Sequence, residues 1–484
     1  MSISIREAAT VTPSARQLAW QKLEFYGFIH FTVNTFTDRE WGDGTESPDI
    51  FHPTELDARQ WAQACHAAGM KGLILTCKHH DGFCLWPSRY TEHSVRNSPW
   101  RQRQGDLVRE VSEACHKYGL KFGIYLSPWD RHERSYGDSE AYNDYFVHQL
   151  EELLTEYGDI FSVWFDGACG EGPNGKRQIY DWDRYYAVIR RHQPQAVISV
   201  CGPDVRWCGN EAGHTRTSEW CVVPASMQDN EKIQEKSQTE DDATFASRIN
   251  SDEDDLGSRE VIAKADKLIW YPAEVNTSIR PGWFYHATED DLVKDTDTLM
   301  ELYERTVGGN SCFLLNLPPD RRGLIHEKDV QVLQELGERI AVYDDNDLAF
   351  HAAVQVTECA DAQPMLFDGS CLTDGREDTW WQSAEGVEQA MIELDLGQTV
   401  TFDRVVLREH IASGQRIEQF TVEVLTASGE WQVIHMGTVV GYKCICRLAP
   451  QQARYMRISI VGSRWCPTLQ SVGVFDTAQK RNSL

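Results

Sequence analysis

Hydrophobic and polar positions follow two different periods along the first two thirds of the chain. Short apolar runs, typical of buried strands, are separated by longer segments whose apolar residues recur every three or four positions, as in amphipathic helices. The predicted strands are 25–33, 71–83, 121–130, 159–167, 196–204, 267–275 and 312–320, and the predicted helices are 57–69, 106–120, 141–158, 182–194 and 299–310. Because strands alternate with helices over at least six such units, the pattern predicts an α/β fold with a parallel, irregular (β/α)8-like barrel over residues 1–345.

After about residue 350 the pattern changes to short alternating segments without helical period. Such segments are typical of antiparallel strands, and they lie at 389–397, 402–410, 419–429, 430–437 and 455–462. They predict a second domain, an antiparallel β-sandwich over residues 346–484, and a chain of 484 residues is long enough for two domains. The polar, acidic segment 228–258 is predicted to be a long surface loop.

Polar residues follow the predicted barrel strands at the points where the strands end. His79, His80 and Asp81 end one strand, and residues 127–130, Asp166 and Asp204 end three others. The carboxyl ends of the strands of such a barrel form one face, where active sites are found. We therefore expect these residues to line an active site, with Gly167 allowing a sharp turn beside Asp166.

The amino-acid composition argues against several classes of binding partner. The formal net charge of −27, from 47 Lys and Arg against 74 Asp and Glu, argues against nucleic acid or an anionic membrane surface as a partner. No apolar run reaches the ~18–20 residues of a membrane span, and no signal peptide is evident, so a cytoplasmic protein is expected. The 14 cysteines show no CxxC spacing and are expected to be reduced core residues.

Three stretches could carry chemistry. The first is Lys78-His79-His80-Asp81-Gly82: adjacent histidines point in different directions and are poor ligands for one metal ion, whereas they suit sugar hydroxyls, and a structural role is the alternative. The second is Asp166, which is catalytic or a helix N-cap. The third is 204–220, with Glu211 and Glu219. Glycoside hydrolysis needs two carboxyl groups, and a separation of about 5–5.5 Å gives retention of configuration.

Several motifs in a fixed order resemble one enzyme family. The first strand, Glu40-Trp41, Lys-His-His-Asp-Gly-Phe (78–83), Trp-Phe-Asp-Gly (164–167) and "LLNLPPD" (314–320) resemble the α-L-fucosidases of glycoside hydrolase family 29 over residues 15 to 345. The resemblance implies a retaining hydrolase that requires no cofactor, with Asp166 as the nucleophile.

Two further stretches, "RWCGNEAG" and "WYPAEVNTSIRPGWFYH", resemble the subgroup that acts on α1,3/1,4-linked fucose of branched, Lewis-type glycans. This resemblance implies Glu211 as the acid/base, with Glu219 and Glu274 as alternatives. The substrate-binding residues that it implies are His30, Glu40, Trp41, His79, His80, Tyr125, Trp164, Arg206 and Trp283. The tryptophans among them are expected to form an apolar wall against the methyl group of fucose.

The C-terminal part resembles a discoidin-like, coagulation factor type C domain, through "TWW", "ELDLG" and "YMRISI". Such domains bind galactosides or serve as packing modules, and some hold a structural calcium ion. The expected partners are fucosylated oligosaccharides. Three alternatives stay open: an α-L-fucosidase of broader linkage specificity, another retaining glycosidase on the same barrel, and a catalytically silent glycan-binding protein.

Overall fold

The computed structural model describes residues 3–238, 240, 254–360 and 363–478. The strands before residue 350 are β1 (Phe25–Ile29), β2 (Gly72–Lys78), β3 (Lys121–Leu126), β4 (Ile160–Phe165), β5 (Val197–Val200), β6 (Arg206–Trp207), β7 (Val222–Pro224), β8 (Leu268–Trp270), β9 (Ala273–Ser278) and β10 (Ser311–Asn316). The α-helices are α1 (Ile5–Ala9), α2 (Ala15–Gln21), α3 (Val33–Thr37), α4 (Ala58–Ala67), α5 (Leu107–Lys117), α6 (Ser139–Glu156), α7 (Trp182–His192), α8 (Asn230–Lys236), α9 (Arg259–Ile262), α10 (Thr296–Thr306), α11 (Glu327–Ile340) and α12 (Val342–Asp345).

Eight of these strands form one parallel sheet in the order β5-β4-β3-β2-β1-β10-β9-β6. The two edge strands come together through a parallel bridge between Ser199 and Val205, so the sheet is nearly closed. This arrangement confirms the predicted (β/α)8-like barrel. Because the strands are parallel, their carboxyl ends share one face of the barrel.

The side chains of a barrel strand alternate between the inside of the barrel and the helices around it. In β1, Tyr26 and Phe28 belong to a buried cluster inside the barrel, whereas Phe25 and Ile29 belong to the larger cluster that includes the helices. This period of two determines which residues of each strand can reach a site at the mouth of the barrel.

Helix boundaries follow from local sequence. Helices α4, α5, α7 and α10 each begin after an aspartate whose side chain accepts a hydrogen bond from a backbone N–H of the first turn: Asp57, Asp106, Asp181 and Asp295. Gly69 and Gly119 follow α4 and α5 with φ values of 80° and 71°. The left-handed backbone at these glycines ends each helix and returns the chain to the next strand.

The predicted strand 267–275 is wrong in its extent, because it is two strands in different sheets. β8 pairs with β7 in a two-stranded antiparallel sheet outside the barrel, and β9 lies in the barrel sheet. Pro272 lies between them and has no N–H to continue the hydrogen-bond ladder.

The C-terminal part is antiparallel, as predicted. Its strands are β11 (Ala353–Ala360), β12 (Gln363–Asp368), β13 (Trp381–Gln382), β14 (Ala390–Arg408), β15 (Ile417–Leu425), β16 (Trp431–Gly437), β17 (Cys444–Ser463), β18 (Thr468–Leu469) and β19 (Ser471–Phe475). Six of them follow the order β12-β11-β14-β17-β15-β16, with β19 also paired to β14, and β13 pairs with β18. The segments predicted as separate strands at 389–397 and 402–410 form the single strand β14.

Each part has its own hydrophobic core, one around the barrel and one between residues 349 and 474. The predicted domain division after residue 345 stays a prediction; it falls between α12 and β11. Of the predicted surface loop 228–258, the structure shows α8 near its start, while residues 239 and 241–253 lie outside the described residues. No helix in the described ranges is long and apolar enough to cross a membrane.

Candidate active site

A cavity opens at the carboxyl ends of the barrel strands. Its walls include Phe28, His30, Trp41, His79, His80, Tyr125, Trp164, Asp166, Gly167, Ala168, Val200, Trp207, Glu211, Ser237, Gln238, Asn276 and Trp283. The structure therefore brings together nine of the residues predicted for the site: His30, Trp41, His79, His80, Tyr125, Trp164, Asp166, Glu211 and Trp283.

Asp166 follows β4 directly and is fixed by donors on both carboxylate oxygens. The Tyr125 hydroxyl donates to Oδ2 at 2.9 Å, and the backbone N–H of Ala168 donates to Oδ1 at 2.9 Å. Nε2 of His80 lies 3.8 Å from Oδ2. The Asp166 side chain remains 23% exposed, so it is open to a ligand in the cavity. Hydrogen bonds of this kind favour the ionised carboxylate.

Glycine is required at position 167. A Cβ atom there would collide with Oγ of Ser237, in the segment after α8. Gly167 therefore allows this segment to approach the nucleophile candidate closely and to form part of the cavity wall.

Three histidines line the cavity in their neutral forms. Burial lowers the pKa of His30 to about 3 and the pKa of His80 to about 4, although the Asp166 carboxylate partly offsets the effect at His80. Burial also holds the pKa of His79 well below its ordinary value. Neutral imidazoles can both donate to and accept from hydroxyl groups.

Two of these rings are oriented by hydrogen bonds. Nδ1 of His30 lies 2.8 Å from Oδ1 of Asn316, and Nδ1 of His80 lies 2.7 Å from Oγ of Ser127. Nδ1 of His79 is buried and has no hydrogen-bond partner among the described residues. Nor do those residues include a group of three or more His, Cys, Asp or Glu side chains that could hold a metal ion. A structural calcium ion in the C-terminal domain stays a prediction.

Glu211 lies in the loop after β6 and faces the same cavity. Nε1 of Trp283 donates a hydrogen bond to Oε2 of Glu211 at 2.9 Å. Burial, with a smaller contribution from the negative charges of Asp166 and Glu40, raises the pKa of Glu211 to about 8, against the opposite effect of the Trp283 hydrogen bond. Glu211 is therefore protonated at neutral pH.

Aromatic rings make up the apolar part of the cavity. Tyr125 and Trp164 are stacked with ring centroids 5.3 Å apart, and the edge of Trp41 meets His80 at 5.1 Å. Trp283 packs beside His30 at 5.2 Å. The cavity thus combines an apolar wall with hydroxyl-binding imidazoles, a combination that suits a sugar carrying a methyl group.

Glu40 does not line the cavity, although it was predicted to bind substrate. It accepts hydrogen bonds from the backbone N–H groups of Trp283 and Phe284 at 2.8 and 3.0 Å. His286 lies 2.8 Å from its Oε1, and this contact raises the pKa of His286 to about 9. In this structure Glu40 anchors the segment that carries Trp283.

Arg206 and Glu219 lie away from the cavity, and their predicted places in the site need correction. Arg206 is 3% exposed and forms an ion pair with Glu219, and its guanidinium donates to the carbonyls of Tyr271 and Trp220 at 3.0 Å. The reason is the alternation along β6, which directs Trp207 into the cavity and Arg206 to the other face. The Glu219 carboxylate is therefore paired with Arg206 and does not face the cavity.

Glu274, the other alternative acid/base, is fully buried behind Trp164. It accepts hydrogen bonds from the Tyr26 hydroxyl and, at 2.6 Å, from Nε1 of Trp164. Burial raises its pKa to about 7. It supports a cavity residue and does not itself line the cavity.

Three carboxylates expected at the barrel mouth also have structural partners. Asp130 pairs with Lys78 at 2.8 Å, Asp81 accepts from the Thr32 hydroxyl at 2.9 Å, and Asp204 pairs with Arg190. None of the three lines the cavity. Asp166 is the strand-end aspartate that remains open to it.

Sequence reasoning missed several cavity residues, chiefly Phe28, Val200, Trp207 and Asn276. Phe28 lies two positions before His30, so the strand period of two could have indicated it. Oδ1 of Asn276 accepts a hydrogen bond from Nε1 of Trp207 at 3.0 Å, and this pairing across β6 and β9 carries no signal in the sequence.

A (β/α)8-like barrel with two carboxyl groups and an aromatic, imidazole-rich cavity at its mouth is an arrangement of the glycoside hydrolase class. Comparison with known proteins identifies the family. The family model described as "Alpha-L-fucosidase" matches residues 12–345, and one described as "NedA-like, galactose-binding domain" matches residues 371–458. The chain therefore belongs to the α-L-fucosidase family, glycoside hydrolase family 29, and is an α-L-fucosidase with a galactose-binding-like C-terminal domain.

Individual relatives are similar to this chain over nearly its whole length. Alpha-L-fucosidase 1 of Arabidopsis thaliana is 40% identical over 466 residues, which cover 96% of this chain and 87% of the relative. A Ruminococcus gnavus family 29 fucosidase, solved in complex with fucose, is 30% identical with a TM-score of 0.82 and covers 96% of this chain and 95% of its own. A family 29 member from an unknown rumen bacterium is 36% identical with a TM-score of 0.76, covering 97% and 78%.

Proposed function

We propose that this α-L-fucosidase removes α1,3/1,4-linked fucose from branched, Lewis-type oligosaccharides with retention of configuration. Asp166 acts as the nucleophile and Glu211 as the acid/base. The observation that carries the proposal is the difference between their environments within one cavity. Asp166 accepts hydrogen bonds from the Tyr125 hydroxyl and the Ala168 N–H and stays open to the cavity, whereas Glu211 has a pKa of about 8 and carries a proton.

In the first step, the Asp166 carboxylate attacks the anomeric carbon and the bond to the leaving oxygen breaks. Glu211 donates its proton to that oxygen, so the aglycone leaves as an alcohol. The product is a fucosyl ester on Asp166.

In the second step, a water molecule attacks the anomeric carbon of the ester. Glu211, now ionised, takes the proton from the water, and the ester bond breaks to release fucose and the Asp166 carboxylate. Each step is balanced by these two carboxyl groups, so the proposal requires no cofactor.

The cavity walls support fucose as the sugar held between them. His30, His79 and His80 are neutral and can bind hydroxyl groups, and Nδ1 of His79 lacks a protein partner in the described residues. Trp41 and Trp164 supply apolar surface for the methyl group.

The proposed linkage preference rests on the segments around Glu211 and Trp283, which resemble the subgroup that acts on α1,3/1,4-linked fucose. Part of the cavity wall could also contact a branched aglycone. Trp207 and Asn276 line the cavity close to the β6 end that leads to Glu211. A leaving sugar must lie beside the acid that protonates its oxygen. We infer that these two side chains contact the aglycone.

The test compares three substrates: a Lewis-type trisaccharide, 2′-fucosyllactose and an aryl α-L-fucoside. Wild type is expected to release fucose mainly from the trisaccharide, and Asp166→Ala and Glu211→Ala are expected to be inactive on it. Azide should restore turnover of the aryl fucoside by Glu211→Ala and yield a fucosyl azide. Retention is checked by NMR, with α-L-fucose as the first product.

Each part of the proposal can fail separately. Equal cleavage of 2′-fucosyllactose would reject the linkage preference and favour a broader α-L-fucosidase. The β anomer as first product would reject the double displacement. An active Glu211→Ala enzyme on the trisaccharide would reject Glu211 as the acid.

A further inference from the structure

The loop that carries Glu211 packs against the C-terminal domain. Gln415 of that domain is fully buried: its Oε1 accepts the backbone N–H of Cys221 at 2.7 Å, and its Nε2 donates to the carbonyl of Glu219 at 3.4 Å. The hydroxyl of Thr438, also in that domain, accepts from Ser218 at 2.9 Å and donates to the carbonyl of Thr217 at 3.1 Å. Four hydrogen bonds, to residues 217, 218, 219 and 221, therefore join the second domain to the end of this loop.

A barrel residue strengthens the same junction. Nδ2 of Asn310 donates to the carbonyl of Glu219 at 2.8 Å, and its Oδ1 accepts the backbone N–H of Tyr442 at 2.7 Å. The carbonyl of Glu219 thus receives one donor from each domain. The backbone at this point of the loop is therefore held from both domains.

Within the loop, charged contacts connect this junction to the residues beside Glu211. The Glu219 carboxylate pairs with Arg206 and, at 3.5 Å, with Arg216. Nη1 of Arg216 donates to the carbonyl of Cys208 at 3.1 Å. Oδ1 of Asn210, next to Glu211, accepts the backbone N–H groups of residues 212 and 214 at 3.1 and 3.0 Å.

We propose that the C-terminal domain positions the acid/base loop of the barrel, with Gln415 and Thr438 as positioning residues for Glu211. In this proposal the C-terminal domain contributes to catalysis by holding the loop in place, independently of any glycan binding on its own surface. This inference rests on the proposed role of Glu211. Neither side chain lines the cavity, so both act through the loop backbone.

The test uses the dependence of the rate on the leaving group. The dinitrophenolate of a 2,4-dinitrophenyl fucoside leaves readily without protonation. The sugar alcohol that leaves from a Lewis-type trisaccharide needs the proton of Glu211. kcat/KM reports the first chemical step for both substrates, so the ratio of the two values measures how well the acid is placed. A loss of folded protein lowers both values equally and leaves the ratio unchanged.

Gln415→Met removes both hydrogen bonds at nearly constant volume, and Thr438→Val removes the hydroxyl and keeps the shape. We expect each variant to lower kcat/KM for the trisaccharide by roughly tenfold, part of the 10²–10⁴-fold that general acid catalysis provides, and for the dinitrophenyl fucoside by less than about twofold. Looser packing also admits water to Glu211, so the alkaline limb of the trisaccharide profile should move to lower pH.

Arg408→Met is the matched control. It breaks another contact between the two domains, the 2.9 Å ion pair with Glu24, which lies directly before β1. It should lower Tm without changing the substrate ratio. A folded Gln415→Met enzyme with the wild-type ratio would overturn the inference, as would an equal change of the ratio in Arg408→Met. If Gln415→Met does not fold, Thr438→Val decides by the same criteria.

Glu211→Gln on the same substrate pair separates this inference from the function on which it rests. A change in the ratio for Glu211→Gln but not for the positioning variants rejects the positioning role alone. An unchanged ratio for Glu211→Gln rejects Glu211 as the acid and, with it, the inference.

Discussion

At the residue scale, two carboxyl groups in one cavity have different environments, each made by a few neighbours. Asp166 is surrounded by donors, the Tyr125 hydroxyl and a backbone N–H. Glu211 has one donor, Trp283, and is otherwise buried and close enough to Asp166 for its charge to raise the Glu211 pKa. The neutral histidines add hydrogen-bonding capacity without adding positive charge that would ionise Glu211.

The first prediction concerns the pH dependence of kcat/KM on the trisaccharide. Because the acid must be protonated and its pKa is raised from 4.5 to about 8, activity should persist at neutral pH and fall as the pH rises through about 8. Trp283→Phe keeps an aromatic ring and removes the donor that favours ionised Glu211. The alkaline limb should then move to higher pH, by up to about one unit.

The measurement is a pH profile of kcat/KM for wild type and Trp283→Phe on a single substrate. The dinitrophenyl fucoside is the control, because its first step depends little on the acid and should show a weaker alkaline limb. A limb near pH 5 in wild type, or a shift to lower pH in Trp283→Phe, would contradict this account of Glu211.

At the element scale, the cavity residues are supplied by strand ends whose inner faces are supported from behind. β4 carries Trp164, and the buried Glu274 of β9 accepts a hydrogen bond from its indole and another from Tyr26 of β1. Three strands of the barrel are thus joined beneath the cavity. Burial raises the pKa of the Glu274 carboxyl to about 7, against the two hydrogen-bond donors, which favour its ionised form.

The second prediction follows from that raised pKa. The folded state binds the Glu274 proton more tightly than the unfolded state, whose pKa is 4.5. The favourable contribution is therefore complete below pH 4.5 and is lost as the pH rises through about 7. Glu274→Gln cannot ionise and keeps the shape, so its stability relative to wild type should increase between pH 4.5 and 7, by on the order of 3 kcal/mol.

Urea unfolding at pH 4.5, 6 and 7.5 measures this difference. Glu274→Ala is the comparison variant: it leaves the Trp164 and Tyr26 donors unpaired and should destabilise at every pH, by roughly 2–5 kcal/mol. A Glu274→Gln variant whose relative stability does not change with pH would show that Glu274 titrates normally in the fold.

Sequence patterns predict the elements well where period and capping agree, and less well where distant contacts decide. The aspartate caps and glycine ends of α4 and α5 are local, so the barrel repeat is readable. Gly397 looks like a turn between two strands; in the fold its φ of 77° lies within a bulge of β14, because β17 pairs with both halves. The β14 misassignment therefore comes from pairing, which local sequence does not show.

The residues of the site also could be predicted where local motifs mark them, and not where contacts distant in sequence decide their position. Asp166, the histidines and the tryptophans are recognisable because they lie in motifs at strand ends, and the cavity unites them. Arg206 was misplaced because a strand of two residues gives no readable period. Its true partner, Glu219, is fixed by a loop that also depends on the C-terminal domain.

At the scale of the whole molecule, the two domains are joined by buried charge as well as by the junction at the Glu211 loop. Glu24, 5% exposed, precedes β1 and accepts from Lys443 at 2.8 Å and from Arg408 at 2.9 Å, both in the C-terminal domain. Glu304 of α10 similarly pairs with Arg404 at 2.9 Å. The contact between domains is therefore specific in geometry and sensitive to the loss of one partner.

The last prediction is that Glu24→Gln destabilises the enzyme by roughly 3–5 kcal/mol at neutral pH, because the buried Lys443 and the partly buried Arg408 lose their shared carboxylate. The cations oppose burial and lower the Glu24 pKa from 4.5 to about 2. The stabilisation is therefore present above pH 4.5 and is lost as the pH falls towards 2.

Thermal unfolding measures this effect: the Tm of Glu24→Gln should lie below that of wild type by an amount that shrinks below pH 4.5. The exposed pair Lys22–Glu377, tested as Glu377→Gln, should change Tm little. A deficit independent of pH would contradict ionised Glu24 as the link between the domains.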